Sequence, residues 1–573
     1  MNKILEHLIA LYGDDVGRAT LAQLESLISN HQSQIPVRRL SALTERDAVL
    51  ITYGDQVHEP NAPPLRTLAD FCARHLTGIV NTIHVLPFYP YSSDDGFAVV
   101  DYRAVNPALG DWNDVARVGA NFRLMFDAVI NHVSAQSAWF QGFLRDDPRY
   151  RDFFIVAPDD ADVSRVIRPR TLPLLTKFET PSGARNVWTT FSADQTDLNY
   201  RNPAVLIEVI ATLLFYLARG ADWIRLDAIA FLWKEPGTTC LHLPQTHRVI
   251  QLLRAIVDHV APHVILITET NVPHADNVSY FGDGTNEAHL VYNFALPPLT
   301  LHAFHTSDAR MLTRWASALT LPSHQVTFFN FLASHDGIGL NPARGILSEA
   351  DLDALVARTL ANGGLVSYKT NPDETASPYE LNINYFDALS DPNATEPLDT
   401  QIDRFVAAHA MMLALVGVPG IYFHNLFGSR SWRAGVAQTG QNRTINREKL
   451  ERAALERELS DPTARRHRVF TRLAQLLHAR AAHPAFSPYG EMRVLDVNPA
   501  IFALQRISAT GETVLCLQNV SYQPQPAQLD STNLLGTTSD NIIDLLTNQV
   551  YAESRVIHLT PFQTLWLTRK NRE

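Results

Sequence analysis

Short apolar runs rich in β-branched residues alternate with longer amphipathic runs from residue 49 to residue 424. The pattern predicts strands at 49–55, 83–88, 122–132, 221–229, 263–269, 289–294, 326–336 and 420–424. Amphipathic runs such as 204–220 and 246–260 separate most of them and predict helices. Eight strands that alternate with helices are typical of an α/β fold with a closed (β/α)8 barrel, and we predict this TIM-barrel architecture.

The pattern departs from a plain barrel at both ends and in two loops. Residues 1–46 predict an N-terminal extension of two or three helices. Within the barrel unit, 47–486, the intervals 133–200 and 337–419 are too long for simple connections, so we expect inserted subdomains there. Short strands without helices fill 487–573 and predict a C-terminal antiparallel β domain.

Composition narrows the possible partners and the compartment. The 573 residues carry 48 Lys plus Arg against 59 Asp plus Glu, a net charge of −11. This balance disfavours nucleic acid and anionic membranes as partners. Three scattered cysteines (Cys72, Cys240 and Cys516) exclude a disulfide scaffold. No apolar run approaches the roughly 18 residues of a spanning helix and no targeting signal is visible, so we expect a cytoplasmic protein.

Charged and polar residues gather where four of the predicted strands end. They are Asp127, Asn131 and His132 on the third strand, Arg225 and Asp227 on the fourth, Glu269 on the fifth, and His335 and Asp336 on the seventh. A single Asp at such a place is more often a turn residue. The active site of a (β/α)8 barrel lies at this end of the strands, however, so the combination predicts acid/base chemistry.

Five segments carry a resemblance to a known family. DAVINH (127–132), WIRLDAI (223–229), LITETN (266–271) and ASHDG (333–337) resemble the four signature segments of the α-amylase clan of glycoside hydrolases. QTDLN (195–199) resembles a fifth, weaker one. The order and spacing also match, and the resemblance covers nearly the whole chain after residue 46.

The resemblance implies a role for each of these strand-end residues. Asp227 is expected to be the nucleophile, Glu269 the general acid/base and Asp336 the transition-state stabiliser. A retaining mechanism needs the first two carboxyls about 5–5.5 Å apart. His132, His335, Arg225 and Asp127 are expected around the glucosyl unit. Arg225 lies two residues before Asp227, on the same strand face, where it can keep the nucleophile ionised.

A narrower resemblance points to the sucrose-phosphorylase-like branch of this clan. It rests on HVLPFYPYSSDDGF (84–97), IRPRTLPLL (167–175), KEPGTTC (234–240), FALPPLTLHA (294–303) and NRTINR (442–447). The positions that it implies for the glucose subsite are Asp94, Phe97, Gln195 and Arg443. Arg170 and Tyr379 match the residues that bind phosphate, the expected co-substrate. We expect no other cofactor.

The acceptor side departs from sucrose phosphorylases. The departures are Asn271, Ser377, Glu380 and Phe231. Glucose is therefore expected as the donor sugar, with fructose in doubt. The segment TETNVPH (268–274), the SSDDGF form and the N-terminal helices resemble most the glucosylglycerate phosphorylases, which split 2-O-α-glucosyl-glycerate with phosphate to give α-glucose 1-phosphate. A glycerate carboxylate needs a cation, and we predict Arg430 for that contact.

Several alternatives stay open. Sucrose, sucrose 6′-phosphate or glucosylglycerol are other possible substrates, and an α-glucosidase or transglucosidase would ignore phosphate. A non-catalytic transporter subunit with this fold would need a membrane anchor and usually a broken catalytic set. Many amylases bind Ca²⁺ through the residue at the position of Asn131, but the branch generally lacks that site, and we predict no metal. The sequence does not decide between a monomer and a homodimer.

Overall fold

Eight parallel strands close into the barrel that the hydrophobic pattern predicts. The computed structural model describes residues 1–38, 42–371, 375–529, 542–551 and 555–569. The barrel strands are β1 (Val49–Thr52), β2 (Thr82–Val85), β3 (Arg123–Ala128), β4 (Ala221–Leu226), β5 (Ile265–Thr268), β6 (Leu290–Tyr292), β7 (Thr327–Asn330) and β8 (Val418–Tyr422). Each pairs in parallel with the next, and β8 pairs with β1.

All eight predicted strands are confirmed, and each ends earlier than predicted. The apolar runs are nearly continuous because side chains fill the inside of the barrel and helices cover the outside. The polar residues at the carboxyl end of each run leave the sheet and enter the following loop. They therefore lie at the mouth of the barrel, where chemistry takes place in this fold.

Helices follow the strands and cover the barrel. They are Pro64–His75, Trp112–Gly119, Pro203–Ala218, Pro244–Val260, His274–Val278, Leu296–Thr306, Arg310–Ser317, Leu398–Ala414, Phe423–Leu426, Arg433–Thr439, Arg452–Ser460 and Arg465–Ala481. Short 3₁₀ turns occur at Asp94–Gly96, Ile229–Phe231, Ser279–Phe281, Asn341–Ala343, Asn442–Asn446 and Pro484–Phe486. None of the helices in the described ranges is long and apolar enough to cross a membrane.

Two helices precede the barrel, α1 (Asn2–Tyr12) and α2 (Asp14–Gln32). They pack on the barrel helices 244–260 and 203–218. Gly17 permits their close approach, since a Cβ there would lie 2.9 Å from the backbone nitrogen of Ile9. The hydroxyl of Tyr12 donates to the carbonyl of Tyr200 at 2.9 Å, which fixes the extension to the barrel.

Both long loops fold as small subdomains. The loop after β3 holds the antiparallel pair His132–Ser134 and Gln195–Asp197, a helix (Ala138–Leu144) and a sheet of Val156–Ala157, Gly183–Trp188 and Leu175–Thr180. The loop after β7 holds Ile338–Gly339, Ala376–Asn382 and Leu365–Thr370 with helices Glu349–Ala361 and Tyr385–Leu389. In the interval 337–419, residues 372–374 lie outside the described ranges.

The C-terminal unit is antiparallel, as predicted. One sheet contains Glu491–Leu495, Ile501–Ile507, Thr513–Asn519, Thr564–Arg569, Ile542–Asp544 and Val550–Tyr551. Gln525–Gln528 pairs with Val556–Leu559, and Val57–His58 near the barrel mouth pairs with Leu450–Glu451. Residues 39–41 of the predicted N-terminal extension lie outside the described ranges, as do 530–541, 552–554 and 570–573 of the predicted C-terminal domain.

Candidate active site

One buried guanidinium organises the carboxylates at the barrel mouth. The β4 residue Arg225 lies beside Asp127 of β3 in the strand register, and its side chain is 3% exposed. Its Nη1 donates to Asp227 Oδ1 at 2.7 Å and also to Asp127 Oδ1. Its Nη2 lies 3.7 Å from Glu269 Oε2. A single cation therefore contacts three carboxylates from neighbouring strand ends.

Asp127 is held as a permanent anion beneath the cavity. Burial alone would raise its pKa, but the charges of Arg225 and His84 lower it to about 2. His84 Nε2 lies 2.7 Å from Asp127 Oδ2, so both carboxylate oxygens have partners. Asp127 thus fixes the orientation of Arg225.

Asp227 and Glu269 are two neighbouring buried carboxyls with raised pKa values. Burial raises the pKa of Asp227, and nearby Glu269 adds to this, while Arg225 opposes it. Burial also raises the pKa of Glu269. Two buried carboxyls this close share protons as a pair, and their hydrogen bonds decide which one is charged. Arg225 bonds Asp227 at 2.7 Å and only approaches Glu269, so we assign the charge to Asp227 and the proton to Glu269.

A strained backbone at Ala228 places a donor on the acid/base. Ala228 has φ 47° and ψ 32°, in the left-handed region, directly after Asp227. Its N–H donates to Glu269 Oε2 at 2.9 Å. A non-glycine residue keeps this conformation only where its surroundings demand it, which is common at functional sites. No feature of the sequence predicts this role, because alanine has no preference for positive φ.

Arg443 binds the third carboxylate and a predicted acceptor residue. Its Nη1 lies 2.6 Å from Asp336 Oδ1, and its Nε and Nη2 donate to the two oxygens of Glu380. Burial would raise the pKa of Asp336, but Arg443 and Arg225 lower it, so Asp336 is ionised. Glu380 lines the cavity as predicted, but both its oxygens are occupied by Arg443.

The predicted glucose-binding residues form one side of the cavity. The rings of Phe97 and His335 are parallel within 2° with centroids 4.8 Å apart. His132 Nε2 lies 2.8 Å from the carbonyl oxygen of Phe97, and Gln195 Nε2 donates to Asp94 Oδ2 at 3.3 Å. Burial lowers the pKa of both histidines, so both are neutral hydrogen-bonding groups.

Arg447, for which the sequence predicts no role, connects Asp95 to the backbone of His335. Its Nε donates to the carbonyl oxygen of His335 at 2.8 Å, and its Nη1 pairs with Asp95 Oδ2 at 2.5 Å. Asp94 and Asp95 both have positive φ, 53° and 48°, and this pair stabilises their tight turn. The one sequence signal for Arg447 was its place in the segment NRTINR (442–447), which carries the resemblance to the sucrose-phosphorylase-like branch.

Three further predicted acceptor residues line the same cavity. Arg170, Asn271 and Tyr379 line it together with Phe231. Asn271 Oδ1 is buried without a hydrogen-bond partner among the described residues, and a Cβ at Gly339 would lie 2.6 Å from it. Burial raises the pKa of Tyr379, which keeps its hydroxyl protonated.

Two residues expected on the acceptor side lie elsewhere. Arg430 donates to Asp387 Oδ1 and Gln401 Oε1, both at 2.6 Å, and does not line the cavity. The prediction that it faces the acceptor is therefore wrong, because folding brings Asp387 to it from a helix more than 40 positions away. Ser377 donates to Asn371 Oδ1 at 3.0 Å and is also absent from the lining.

A lysine joins the barrel to the subdomain after β3. The ammonium of Lys234 donates to Asn131 Oδ1 at 2.6 Å and lies 2.6 Å from Asp197 Oδ2. The Lys234 side chain is 1% exposed and that of Asp197 is fully buried. The ammonium thus supplies the positive charge between Asn131 and Asp197. Across the described ranges, no cluster of three or more His, Cys, Asp or Glu is arranged to hold a metal ion.

Several known proteins are similar to this chain over most of its length. Residues 76–338 match the model of the α-amylase catalytic domain. The glucosylglycerate phosphorylase of Allomeiothermus silvanus is 51% identical over 93% of this chain and 95% of its own length. That of Escherichia coli is 45% identical over 99% of both chains. Among solved structures, sucrose 6F-phosphate phosphorylase from Thermoanaerobacter thermosaccharolyticum has a TM-score of 0.72 at 24% identity, covering 84% of this chain and 95% of its own.

Replacing Lys234 by methionine should destabilise the fold. The substitution keeps the aliphatic stem but leaves the Asp197 carboxylate buried without its cation, which costs about 3–5 kcal/mol. The measurement is the free energy of unfolding in urea. Lys177→Met, at an exposed position of the same subdomain, is the control and should change the free energy by less than about 0.5 kcal/mol. An equal effect of both substitutions would contradict the structural role of Lys234.

Proposed function

The chain belongs to the glucosylglycerate phosphorylase family within the α-amylase clan, and we propose that it is a retaining phosphorylase of 2-O-α-glucosyl-glycerate. The products are α-glucose 1-phosphate and glycerate. The observation that carries the proposal is the 2.7 Å hydrogen bond from Arg225 to Asp227, in one cavity with Glu269 and the phosphate candidate Arg170. Relatives at 45–51% identity that carry the name glucosylglycerate phosphorylase support the choice of substrate.

The first half-reaction transfers glucose to the enzyme. Glu269 gives its proton to the glycosidic oxygen while an Asp227 carboxylate oxygen attacks the anomeric carbon. The bond to glycerate breaks, and its electron pair remains on the oxygen that receives the proton. The product is a covalent glucosyl-enzyme of inverted configuration with glycerate as the leaving alcohol. Asp336 and Arg443 lie where they can bond the sugar hydroxyls as positive charge develops on the ring.

The second half-reaction returns the glucose to phosphate. A phosphate oxygen attacks the same carbon from the side that glycerate left, and Asp227 departs as carboxylate. Glu269, now deprotonated, accepts the proton that the phosphate hydroxyl releases. The second inversion restores the α configuration. The Arg170 guanidinium on the acceptor side suits the planar array of phosphate oxygens, and Tyr379 lies near it as a neutral donor.

A cytoplasmic location and small-molecule partners are a further part of the proposal. Cys72, Cys240 and Cys516 are free and buried. Unpaired thiols fit a reducing compartment, which supports a cytoplasmic location. The acidic chain also supports small molecules rather than nucleic acid as its partners.

The direct test is the release of α-glucose 1-phosphate from 2-O-α-glucosyl-glycerate by the purified full chain. We expect release only when phosphate is present. Asp227→Asn should reduce the rate by roughly 10⁴-fold or more, because no nucleophile remains.

Sucrose, sucrose 6′-phosphate and glucosylglycerol serve as the control substrates, and kcat/KM is measured for each. A higher kcat/KM on any of these would overturn the choice of acceptor. Free glucose released at a rate independent of phosphate would overturn the phosphorylase itself.

The pH profile should report the proton on Glu269. Because burial raises the pKa of Glu269, the acid form persists above the usual carboxyl range, and kcat/KM should fall as pH rises through that raised pKa. With α-glucosyl fluoride, whose leaving group needs no proton, this alkaline limb should disappear from the glucosylation step. The same limb with both donors would show that another group causes it.

A further inference from the structure

The proposed reaction requires the acceptor side of one small cavity to hold two anions in turn. Glycerate carries a carboxylate and phosphate carries one or two negative charges. Each must leave its reacting oxygen close to the same anomeric carbon. Burying either anion without a cation would be costly, so at least one positive side chain must face this side.

The positive side chains of the cavity differ in whether they are already paired. Arg443 is held by Asp336 and by both oxygens of Glu380, all within the described structure. Arg225 lies below the cavity and is held by Asp127 and Asp227. The positive charges of Arg443 and Arg225 are therefore already balanced by carboxylates of the site.

The two histidines of the cavity do not offer a charge. Burial lowers the pKa of His132 and of His335, the latter well below its usual range. His132 also lies against the carbonyl oxygen of Phe97, on the glucose side. Both rings are therefore neutral, and neither can balance an acceptor anion.

Arg170 is the remaining cation of the lining. It is half-buried, and no hydrogen bond or ion pair holds its guanidinium within the described residues. It lines the catalytic cavity and also the wider vestibule outside it, so it lies on the path of both anions. It shares the lining of the catalytic cavity with Asp336 and Tyr379.

We propose that Arg170 binds the glycerate carboxylate in the first half-reaction and phosphate in the second, so that the two anions exclude each other at one guanidinium. A planar fork of donors fits a carboxylate and a phosphate equally well. Asn271 lines the same cavity. Glycerate must leave before phosphate can bind, which explains how one site serves both steps.

This inference rests on the proposed function, and its test separates the two. α-Glucosyl fluoride forms the glucosyl-enzyme without phosphate or glycerate, after which D-glycerate, phosphate, glycerol or water accepts the glucose. Glycerol is glycerate with a neutral hydroxymethyl group in place of the carboxylate. The variants are Arg170→Gln and, as a matched control, Arg168→Gln, since Arg168 lies in the same loop outside the cavity lining.

We expect Arg170→Gln to raise the KM for glycerate and the KM for phosphate together, each by about tenfold or more. The KM for glycerol and the rate of fluoride release with water as acceptor should stay within about twofold of the wild-type values. The ratio of kcat/KM for glycerate to kcat/KM for glycerol should fall by the same factor by which the KM for glycerate rises. Arg170→Lys should recover part of both losses. Arg168→Gln should change none of these values.

Three results would overturn the inference. The first is that Arg170→Gln raises the KM for phosphate but not the KM for glycerate. The second is that it raises the KM for glycerol as much as the KM for glycerate. The third is that fluoride release with water as acceptor falls while the KM values for glycerate and phosphate rise. Failure of the wild-type chain to phosphorolyse glucosyl-glycerate at all would instead overturn the proposed function.

Discussion

The ion pairs of Arg225 are the interactions on which the rest of the site depends. A guanidinium with 3% exposure has lost most of its hydration, and it is stable there only because Asp127 and Asp227 bind it. Asp127, with a pKa near 2, stays charged across the working range and holds the guanidinium in place. The hydrogen bond from the same guanidinium favours the ionised form of Asp227. Glu269 then takes the shared proton, so the division into nucleophile and acid follows from one buried cation.

A second arginine joins two carboxylates of the cavity. Arg443 contacts Asp336 Oδ1 and both carboxylate oxygens of Glu380, and so partly balances their charges. Since carboxylates already pair with Arg225 and Arg443, Arg170 is the cation of the cavity lining that no carboxylate of the described residues binds. This local arrangement explains how a chain of net charge −11 can handle anionic substrates.

The fold and the carboxylates at the barrel mouth could be predicted from the sequence because both follow from local patterns of residues. Apolar runs of the right length gave the eight strands, and their polar ends gave Asp227, Glu269 and Asp336. The acceptor side depends on contacts between distant segments, which no local pattern encodes. Arg430 was misplaced because Asp387 and Gln401 occupy it, and Ala228 was missed because its backbone strain arises only in the folded chain. Lys234 belonged to a recognised motif, but its contact with Asn131 and Asp197 required the structure.

The most direct measurement is mass spectrometry of a Glu269→Gln variant after brief reaction with α-glucosyl fluoride. Fluoride leaves without an acid, so Asp227 can still attack, while the loss of the base slows the release of glucose to water. We predict one glucosyl group on the peptide that carries Asp227, and its removal as α-glucose 1-phosphate when phosphate is added. A glucosyl group on another residue, or a product of inverted configuration without any adduct, would contradict the assignment of Asp227 as the charged nucleophile.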